Sequence, residues 1–155
     1  MKLTNIVKTV LIALGGNAIS PKNSTSTIKD QFAHTRESLT GIMHFVNRGY
    51  KIGITHGNGP QVGDELRRNE VASDEIPPLP LGVLVANTQG AIGYMIQQSL
   101  QNALHQQKIE REVVSFISQV RVEADDKALS DPAKYVGRRY TDKQAKKFQN
   151  ELGWI

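Results

Sequence analysis

Two glycine-rich turns carry the residues best suited to chemistry in this chain. Gly15–Ala18 (Gly-Gly-Asn-Ala) follows the apolar run 9–14, and His56–Gly63 (His-Gly-Asn-Gly-Pro-Gln-Val-Gly) follows residues 51–55. Glycine lets backbone N–H groups converge on an anion because no Cβ stands in the way, and a helix beginning just beyond adds its positive dipole end. Side-chain amides of the two asparagines are further donors. The candidate anion-binding residues are therefore Gly15, Gly16, Asn17, Gly57, Asn58 and Gly59.

Neither turn matches the two commonest nucleotide-binding motifs. The chain has no Gly-x-x-x-x-Gly-Lys-Ser/Thr loop, and Gly57-x-Gly59 lacks the third glycine of the dinucleotide fingerprint because Val62 stands there. The plain alternative is that the glycines only allow sharp turns. Two such turns after two neighbouring strands favour a ligand site instead, because open α/β sheets bind ligands at the carboxyl ends of their strands.

Four other side chains invite a chemical interpretation. Lys134 lies in the polar stretch 125–140, and a mobile lysine suits the clamping of a transferring phosphoryl group. His56 closes a strand, where a histidine usually shapes the loop through hydrogen bonds. Asp125 and Asp126 are adjacent acids typical of a solvated surface, so we predict neither catalysis nor a metal site there.

The elements that must position the turns follow from apolar spacing and end signals. Residues 9–14 predict a buried central strand, and the helical pattern that starts at Thr27 and Asp30 ends at Gly49. A second strand over 51–56 completes a strand–helix–strand unit with two parallel strands. The fold class is thus α/β.

The second half of the chain continues with helices and an arm. Pro60 favours a helix over 60–71, because proline suits the first helical position. The proline-containing loop 73–82 precedes a helix over 87–107, in which Gly90 and Gly93 predict close packing against another backbone. Further predictions are a strand over 113–117, an extended piece over 119–124, a projecting arm over 125–140, and a helix begun by Thr141 and Gln144.

Composition narrows the class of protein. The chain has 155 residues, a net charge of +4 and no cysteine, which excludes a disulfide framework and fits a cytoplasmic protein. No apolar run is long enough for a membrane helix. Much of the basic excess lies in the last third, where only Tyr135 and Tyr140 interleave with the charges, so we expect a solvated face and no nucleic-acid binding.

Three blocks of this sequence resemble successive signature motifs of the carbamate kinases, within the amino acid kinase superfamily. The blocks are Leu11–Ala18, Ile54–Gly63 and Thr88–Gln98. The resemblance covers nearly the whole chain and corresponds to the N-terminal half of such an enzyme. A fourth segment, Pro132–Tyr140, is similar to the family's arm motif, with matching lysine, glycine and tyrosine at Lys134, Gly137 and Tyr140.

The resemblance implies an αβα sandwich around a mainly parallel sheet and the reaction ATP + carbamate ⇌ ADP + carbamoyl phosphate with Mg²⁺, in a homodimer. It implies that both glycine turns hold the carbamate and the transferred phosphoryl group, with Asn17 and Lys134 as catalytic residues. Residues 1–124 would form the substrate-binding lobe and 125–155 the arm and terminal helix. The nucleotide pocket would lie outside this chain, leaving it inactive alone.

Other functions stay open at this point. A carbamoyl-phosphate-binding pseudoenzyme would keep the anion-binding turns without ATP, and a related kinase would use another small carboxylate. A basic nucleic-acid-binding module is the third alternative.

Overall fold

The computed structural model describes residues 8–20, 27–137 and 140–153, without the side chains of Asn17 and Leu152. Two strands, β1 (Thr9–Leu14) and β2 (Lys51–His56), pair in parallel, with Thr9 opposite Lys51 and Leu14 opposite His56. Both predicted strands are therefore confirmed at their predicted bounds. The turns that follow them lie at one edge of the sheet.

Five α-helices accompany this sheet in the described residues. They are α1 (Gly16–Ile19), α2 (Ile28–Asn47), α3 (Gly59–Val71), α4 (Leu81–Gln106) and α5 (Asp142–Leu152), and a short 3-10 helix covers Lys127–Leu129. Capping boxes begin α2 and α5: Thr27 with Asp30, and Thr141 with Gln144. The helix starts predicted from this spacing are confirmed.

The core lies where α2 and α4 pack on each other and on one face of the sheet. Apolar residues recur on each helix at three- and four-residue spacing, which gives each helix a single buried stripe. The buried cluster consists of Leu14, Ile19, Leu39, Ile42, Met43, Val46, Ile92, Met95, Ile96, Leu100 and Leu104. This packing joins α2 to α4, the longest helix, and to β2.

The second face of β1 is exposed, whereas the sequence predicted a strand buried on both faces. The Leu11 side chain, on the face away from Leu14, is 71% exposed. The described residues cover only one face of this strand, so an all-apolar sequence here did not mean burial on both sides. The α/β fold class stands, with one helical layer seen against the sheet.

Helix α4 begins six residues before the predicted start at residue 87. Pro80 is its N-cap with extended backbone, and its carbonyl accepts bonds from the N–H groups of Val83 and Leu84. Leu84 is buried, so tertiary packing extends the helix towards the prolines. Proline at a helix start is compatible with this geometry, because it needs no N–H partner there.

The predicted strand over 113–117 is wrong for the described structure, whereas residues 119–124, predicted only as an extended piece, form no helix or strand. The segment runs beside α4, and helix side chains take its backbone groups: Val113 N–H donates to Gln101 Oε1 (3.0 Å) and Ser118 N–H to Gln89 Oε1 (2.9 Å). A cleft of about 450 Å³ separates it from β2. The backbone N–H groups of this segment therefore donate to glutamine side chains of α4 instead of to a neighbouring strand.

Close packing occurs at Gly93 of α4, but the prediction of another backbone as the neighbour is wrong, because the contacts are made by side chains. A Cβ on Gly93 would lie 3.2 Å from the Cβ of Ser115, and one on Gly90 would lie 3.8 Å from Ile117 Cδ1. Ser115 Oγ also donates to the Gly93 carbonyl (3.0 Å). Because Gly90 and Gly93 carry no side chain, the extended segment can lie directly against α4.

Candidate anion-binding site

The two glycine turns lie side by side. Because β1 and β2 are parallel and Leu14 pairs with His56, the next residues, Gly15 and Gly57, leave the sheet at the same edge. A helix begins directly after each turn: α1 at Gly16 and α3 at Gly59. Two helix N-termini with small residues therefore meet at this edge, and N–H groups of a first helical turn have no partner within the helix.

The first turn is fixed by a buried side chain and by two hydrogen bonds. Ile19, at the end of α1, is fully buried, and the Ala18 N–H donates to the Gly15 carbonyl (2.9 Å). Ser38 Oγ of α2 donates to the Ala18 carbonyl (3.2 Å). These contacts fix the backbone around Gly15 and Gly16. The side chain of Asn17, predicted to be a donor, lies outside the described part of the chain.

The second turn is held by Asn58 in a way that the sequence did not predict. Asn58 is the N-cap residue of α3, but its side chain makes no capping bond. Its Nδ2 donates instead to Thr88 Oγ1 (3.0 Å) and to the Val85 carbonyl (3.4 Å), both on α4. The amide predicted to face an anion is therefore engaged with α4, and no Asn58 side chain covers the start of α3.

Thr88 is the residue at this site that sequence reasoning missed. It is buried, and its hydroxyl lies within hydrogen-bond distance of the Leu84 and Val85 carbonyls (3.0 and 2.8 Å) while accepting from Asn58. The signal was its place at the start of the Thr88–Gln98 block, one of the three blocks that resemble carbamate kinase motifs. Its contact joins the second turn to the core helix.

Gln61, in the first turn of α3, links this helix to α2. Its Nε2 donates to Gln31 Oε1 (3.2 Å), whereas among the described side chains its own Oε1 is buried without a hydrogen-bond partner. His56 Nδ1 lies 3.4 Å from the Gly57 carbonyl, a long contact compatible with its predicted loop-shaping role. His56 and Gln61 therefore lie on either side of the second turn in sequence, and neither contact forms a further candidate site.

The adjacent acids Asp125 and Asp126 lie at the start of the arm. Asp125 and Asp126 are exposed, and Asp126 Oδ1 accepts from the Ala128 N–H (2.9 Å) at the start of the 3-10 helix. Within residues 8–20, 27–137 and 140–153, no group of three or more acidic or histidine side chains could hold a metal ion. Asp126 thus caps the 3-10 helix.

The arm reaches the site through a glycine. Gly137 N–H donates to the carbonyl of Gly59, the first residue of α3 (3.0 Å). Lys134, three residues earlier, is exposed. The arm backbone is therefore joined to the second turn, while the Lys134 side chain extends into solvent. Arg138 and Arg139, which follow, lie outside the described residues.

Comparison with known proteins finds carbamate kinases as relatives of this chain. The carbamate kinase of Pyrococcus horikoshii is 43% identical over 148 residues, which is 94% of this chain and 47% of that protein. The chain is a homologue of the carbamate kinases. It spans about half the length of the curated relatives it matches. No protein-family model matches the chain.

Solved structures of carbamate kinases share the fold. The carbamate kinase from Giardia lamblia bound to citric acid superposes with a TM-score of 0.89 and 35% identity, covering 97% of this chain and 49% of that one. The same enzyme bound to AMP-PNP gives a TM-score of 0.80 at 35% identity, over 96% and 47%. This carbamate kinase homologue therefore has the amino acid kinase fold. No described helix is long and apolar enough to cross a membrane.

Proposed function

We propose that the protein to which this chain belongs is a carbamate kinase that catalyses ATP + carbamate ⇌ ADP + carbamoyl phosphate, and that this chain supplies its substrate- and phosphate-binding half. The observation that carries the proposal is the pair of glycine turns on adjacent parallel strands, each opening a helix. The sequence match to carbamate kinases supports the same activity.

The chemistry suits this site because it needs little acid–base catalysis. A carbamate oxygen attacks the γ-phosphorus of ATP, the bond from that phosphorus to the bridging oxygen breaks, and ADP leaves with the electron pair. Carbamate is already an anion, so no base must remove a proton. Catalysis then consists of alignment and of stabilising charge on the phosphoryl oxygens, which backbone N–H groups and lysine can supply.

Each candidate residue has a role in this proposal. Backbone N–H groups at Gly15, Gly16, Gly57 and Gly59 bind the carbamate and the transferred phosphoryl group. Asn17 and Lys134 stabilise the transition state. Asn58 contributes through its backbone and through its bond to Thr88, which holds the turn in place. Its side chain is assigned no contact with substrate.

The cofactor assignments differ in their support. The Giardia lamblia homologue bound to AMP-PNP supports ATP and ADP as the nucleotides. The expected Mg²⁺ finds no fitting set of ligands in the described residues, which contain no suitable acidic or histidine cluster. We therefore assign no metal ligand and no step through the metal to this chain. Small-molecule carbamate and carbamoyl phosphate are its proposed partners, in a cytoplasmic homodimer.

The chain's organisation follows from the same proposal. Residues 1–124 form the substrate-binding lobe, and residues 125–155 form the arm and terminal helix that reach towards it. The bond from Gly137 to Gly59 supports an arm that serves the turns. The nucleotide pocket is supplied by the part of the relatives' length that this chain does not span.

An NMR titration of the 155-residue chain with inorganic phosphate and carbamoyl phosphate tests the site. We expect chemical-shift changes at the amides of residues 15–17 and 57–59. The matched control is a chain with Lys143→Ala and Lys146→Ala in α5, which lowers the positive charge without touching the turns and should keep those changes. Shift changes confined to residues 143–147 would contradict the proposal, because they would reflect charge attraction alone.

A further inference from the structure

We propose that the contact between Gly63 and Gly137 is a positioning element that holds the arm on α3, so that Lys134 reaches the anion-binding turns. The inference rests on the proposed function for the role of Lys134. Neither glycine contacts substrate. Their contribution is to position Lys134, which contacts the substrate under the proposed function.

The two glycines approach each other so closely that neither can carry a side chain. A Cβ on Gly63 would overlap the Cα of Gly137 and lie 2.8 Å from its nitrogen. In the other direction, a Cβ on Gly137 would lie 3.1 Å from the Gly63 Cα. Gly137 also has a φ of +88°, which side-chain-bearing residues rarely adopt. Both positions therefore require glycine.

This contact is one of three on a single face of α3. Gly59, Gly63 and Arg67 are spaced four residues apart, which aligns them along the helix. The Gly59 carbonyl accepts from Gly137 N–H (3.0 Å), and the Arg67 guanidinium lies 4.9 Å from the centre of the Phe148 ring in α5.

The far end of this face is closed by aromatic packing. Phe148 packs edge-on against Tyr140, with ring centres 5.0 Å apart. Gly137 of the arm and Phe148 of α5 thus contact successive positions of α3, from the Gly59 carbonyl to the Arg67 guanidinium. Such a surface orients a segment, whereas a single contact would only tether it.

The reach of Lys134 follows from chain length. Three residues of extended chain span at most about 10 Å, so the Lys134 Cα lies within that distance of Gly137. Gly137 is hydrogen-bonded to Gly59, which belongs to the second turn. The four-carbon stem of lysine extends the reach of its ammonium group further. With Gly137 held on α3, Lys134 can therefore contact an anion bound at the turns.

Amide hydrogen exchange in the 155-residue chain tests the contact itself. In Gly63→Ala, we expect the Gly137 amide to exchange about tenfold faster or more, because its bond to Gly59 is lost with the contact. Gly41→Ala is the matched control: Gly41 is an exposed interior residue of α2 whose added Cβ meets nothing. Exchange at Gly137 should stay unchanged there. Equal exchange in Gly63→Ala would overturn the proposal.

A second variant keeps the test valid if Gly63→Ala disturbs α3. Gly137→Ala attacks the same contact from the arm and leaves the helix sequence intact. We expect faster exchange of the residue 137 amide and unchanged protection within α3. Unaltered exchange at residue 137 would contradict the requirement for glycine there.

Phosphate affinity then tests whether the contact acts through Lys134. We expect Lys134→Ala to weaken binding of inorganic phosphate about tenfold, as for loss of a charge-assisted hydrogen bond. Gly63→Ala should weaken it similarly, and the double variant should be no weaker than either single one. Additive losses would overturn the positioning role, because they would mean that the glycine acts independently of the lysine.

The two proposals fail in different ways. If the wild-type chain bound no phosphate at the turns, the proposed function and the role of Lys134 would fail together, while faster exchange in Gly63→Ala would still support the arm contact. If phosphate bound normally in Gly63→Ala while Lys134→Ala weakened it, the anion site would stand and the positioning role would be wrong.

Discussion

Asn58 and Thr88 join the second glycine turn to the core of the molecule, with Asn58 Nδ2 3.0 Å from Thr88 Oγ1. Asparagine at a helix N-cap usually accepts a hydrogen bond from the first turn of its own helix. Here that side chain is turned towards α4, and no side-chain bond caps α3. Under the proposed function, the N–H groups at the start of α3, which exclude Pro60, bind the anion in place of a side-chain cap.

Replacing Thr88 by valine should remove this restraint. Thr88→Val keeps the branched shape but loses the hydroxyl that accepts from Asn58, which should destabilise the chain by about 1 kcal/mol. The released Asn58 side chain can then cap α3 and compete with an anion. We expect phosphate binding to weaken about fivefold, because a cap is worth about 1 kcal/mol. Thermal unfolding and NMR titration measure the two effects.

Thr88→Ser is the matched control for this change. It keeps the hydroxyl and loses only a methyl group, so phosphate affinity should match that of the wild type even if stability falls. Weaker binding in Thr88→Ser than in Thr88→Val would exclude the hydrogen bond as the cause.

Local signals predicted most of the elements around the site. The run 9–14 is followed directly by glycine, and Thr27 with Asp30 gives both halves of a capping box. The end of β1 and the start of α2 could therefore be predicted without distant residues. The position of the two turns followed from the carboxyl-end rule for parallel strands, confirmed by the pairing of Leu14 with His56.

The wrong predictions concern features set by distant partners. Residues 113–117 have strand-like sequence, but strand formation needs a neighbouring strand, and Gln101 of α4 takes the Val113 amide instead. Leu84 extends α4 because it is buried in the core. The direction of the Asn58 side chain depends on Thr88, thirty residues away. No window of local sequence contains these partners.

The glutamine contact on α4 should hold the extended segment in place. Gln101 bonds both the Arg111 carbonyl and the Val113 N–H at 3.0 Å. Gln101→Met keeps the length and apolar stem of the side chain but removes both bonds. We expect faster exchange of the Val113 amide and faster proteolysis around residues 111–118, with little change in the rest of the core.

Gln98→Met provides the comparison for Gln101→Met. Gln98 lies on the same helix, and its Nε2 donates to the Tyr94 hydroxyl (2.8 Å) rather than to the segment. Exchange at Val113 should not respond to it. If both variants changed Val113 equally, general weakening of α4 would explain the effect.

Lys134 should matter more for turnover than for substrate binding. In a complete enzyme containing this chain, Lys134→Ala should lower kcat by a larger factor than it raises KM, because a clamp on developing charge acts in the transition state. Steady-state kinetics with carbamate and ATP measure the two parameters. Lys127→Ala removes an exposed charge elsewhere on the arm and is the control. An unchanged kcat in Lys134→Ala would identify Lys134 as a solvated surface residue.

The 155-residue chain alone should show no ATP-dependent kinase activity. The two glycine turns are present, but under the proposed function the nucleotide pocket belongs to the part of the relatives that this chain does not span. Half an active site binds anions without aligning the two reactants. An assay of ADP formation with carbamate and Mg²⁺ measures this. Robust turnover would mean that the catalytic groups are assigned to the wrong half.

Uncovered apolar surface should also make the isolated chain self-associate. Leu11 is 71% exposed on the open face of β1, and Phe116 is 83% exposed on the extended segment. Contiguous exposed apolar residues favour association, because contact between copies removes them from water. Size-exclusion chromatography over a concentration series should show larger species at higher concentration. Leu11→Thr, which suits a strand and lowers the apolar area, should shift the distribution towards monomer, whereas Thr9→Val at an exposed position of the same strand should not. A wild-type chain that remains monomeric at all concentrations would show that the open face of β1 does not drive association.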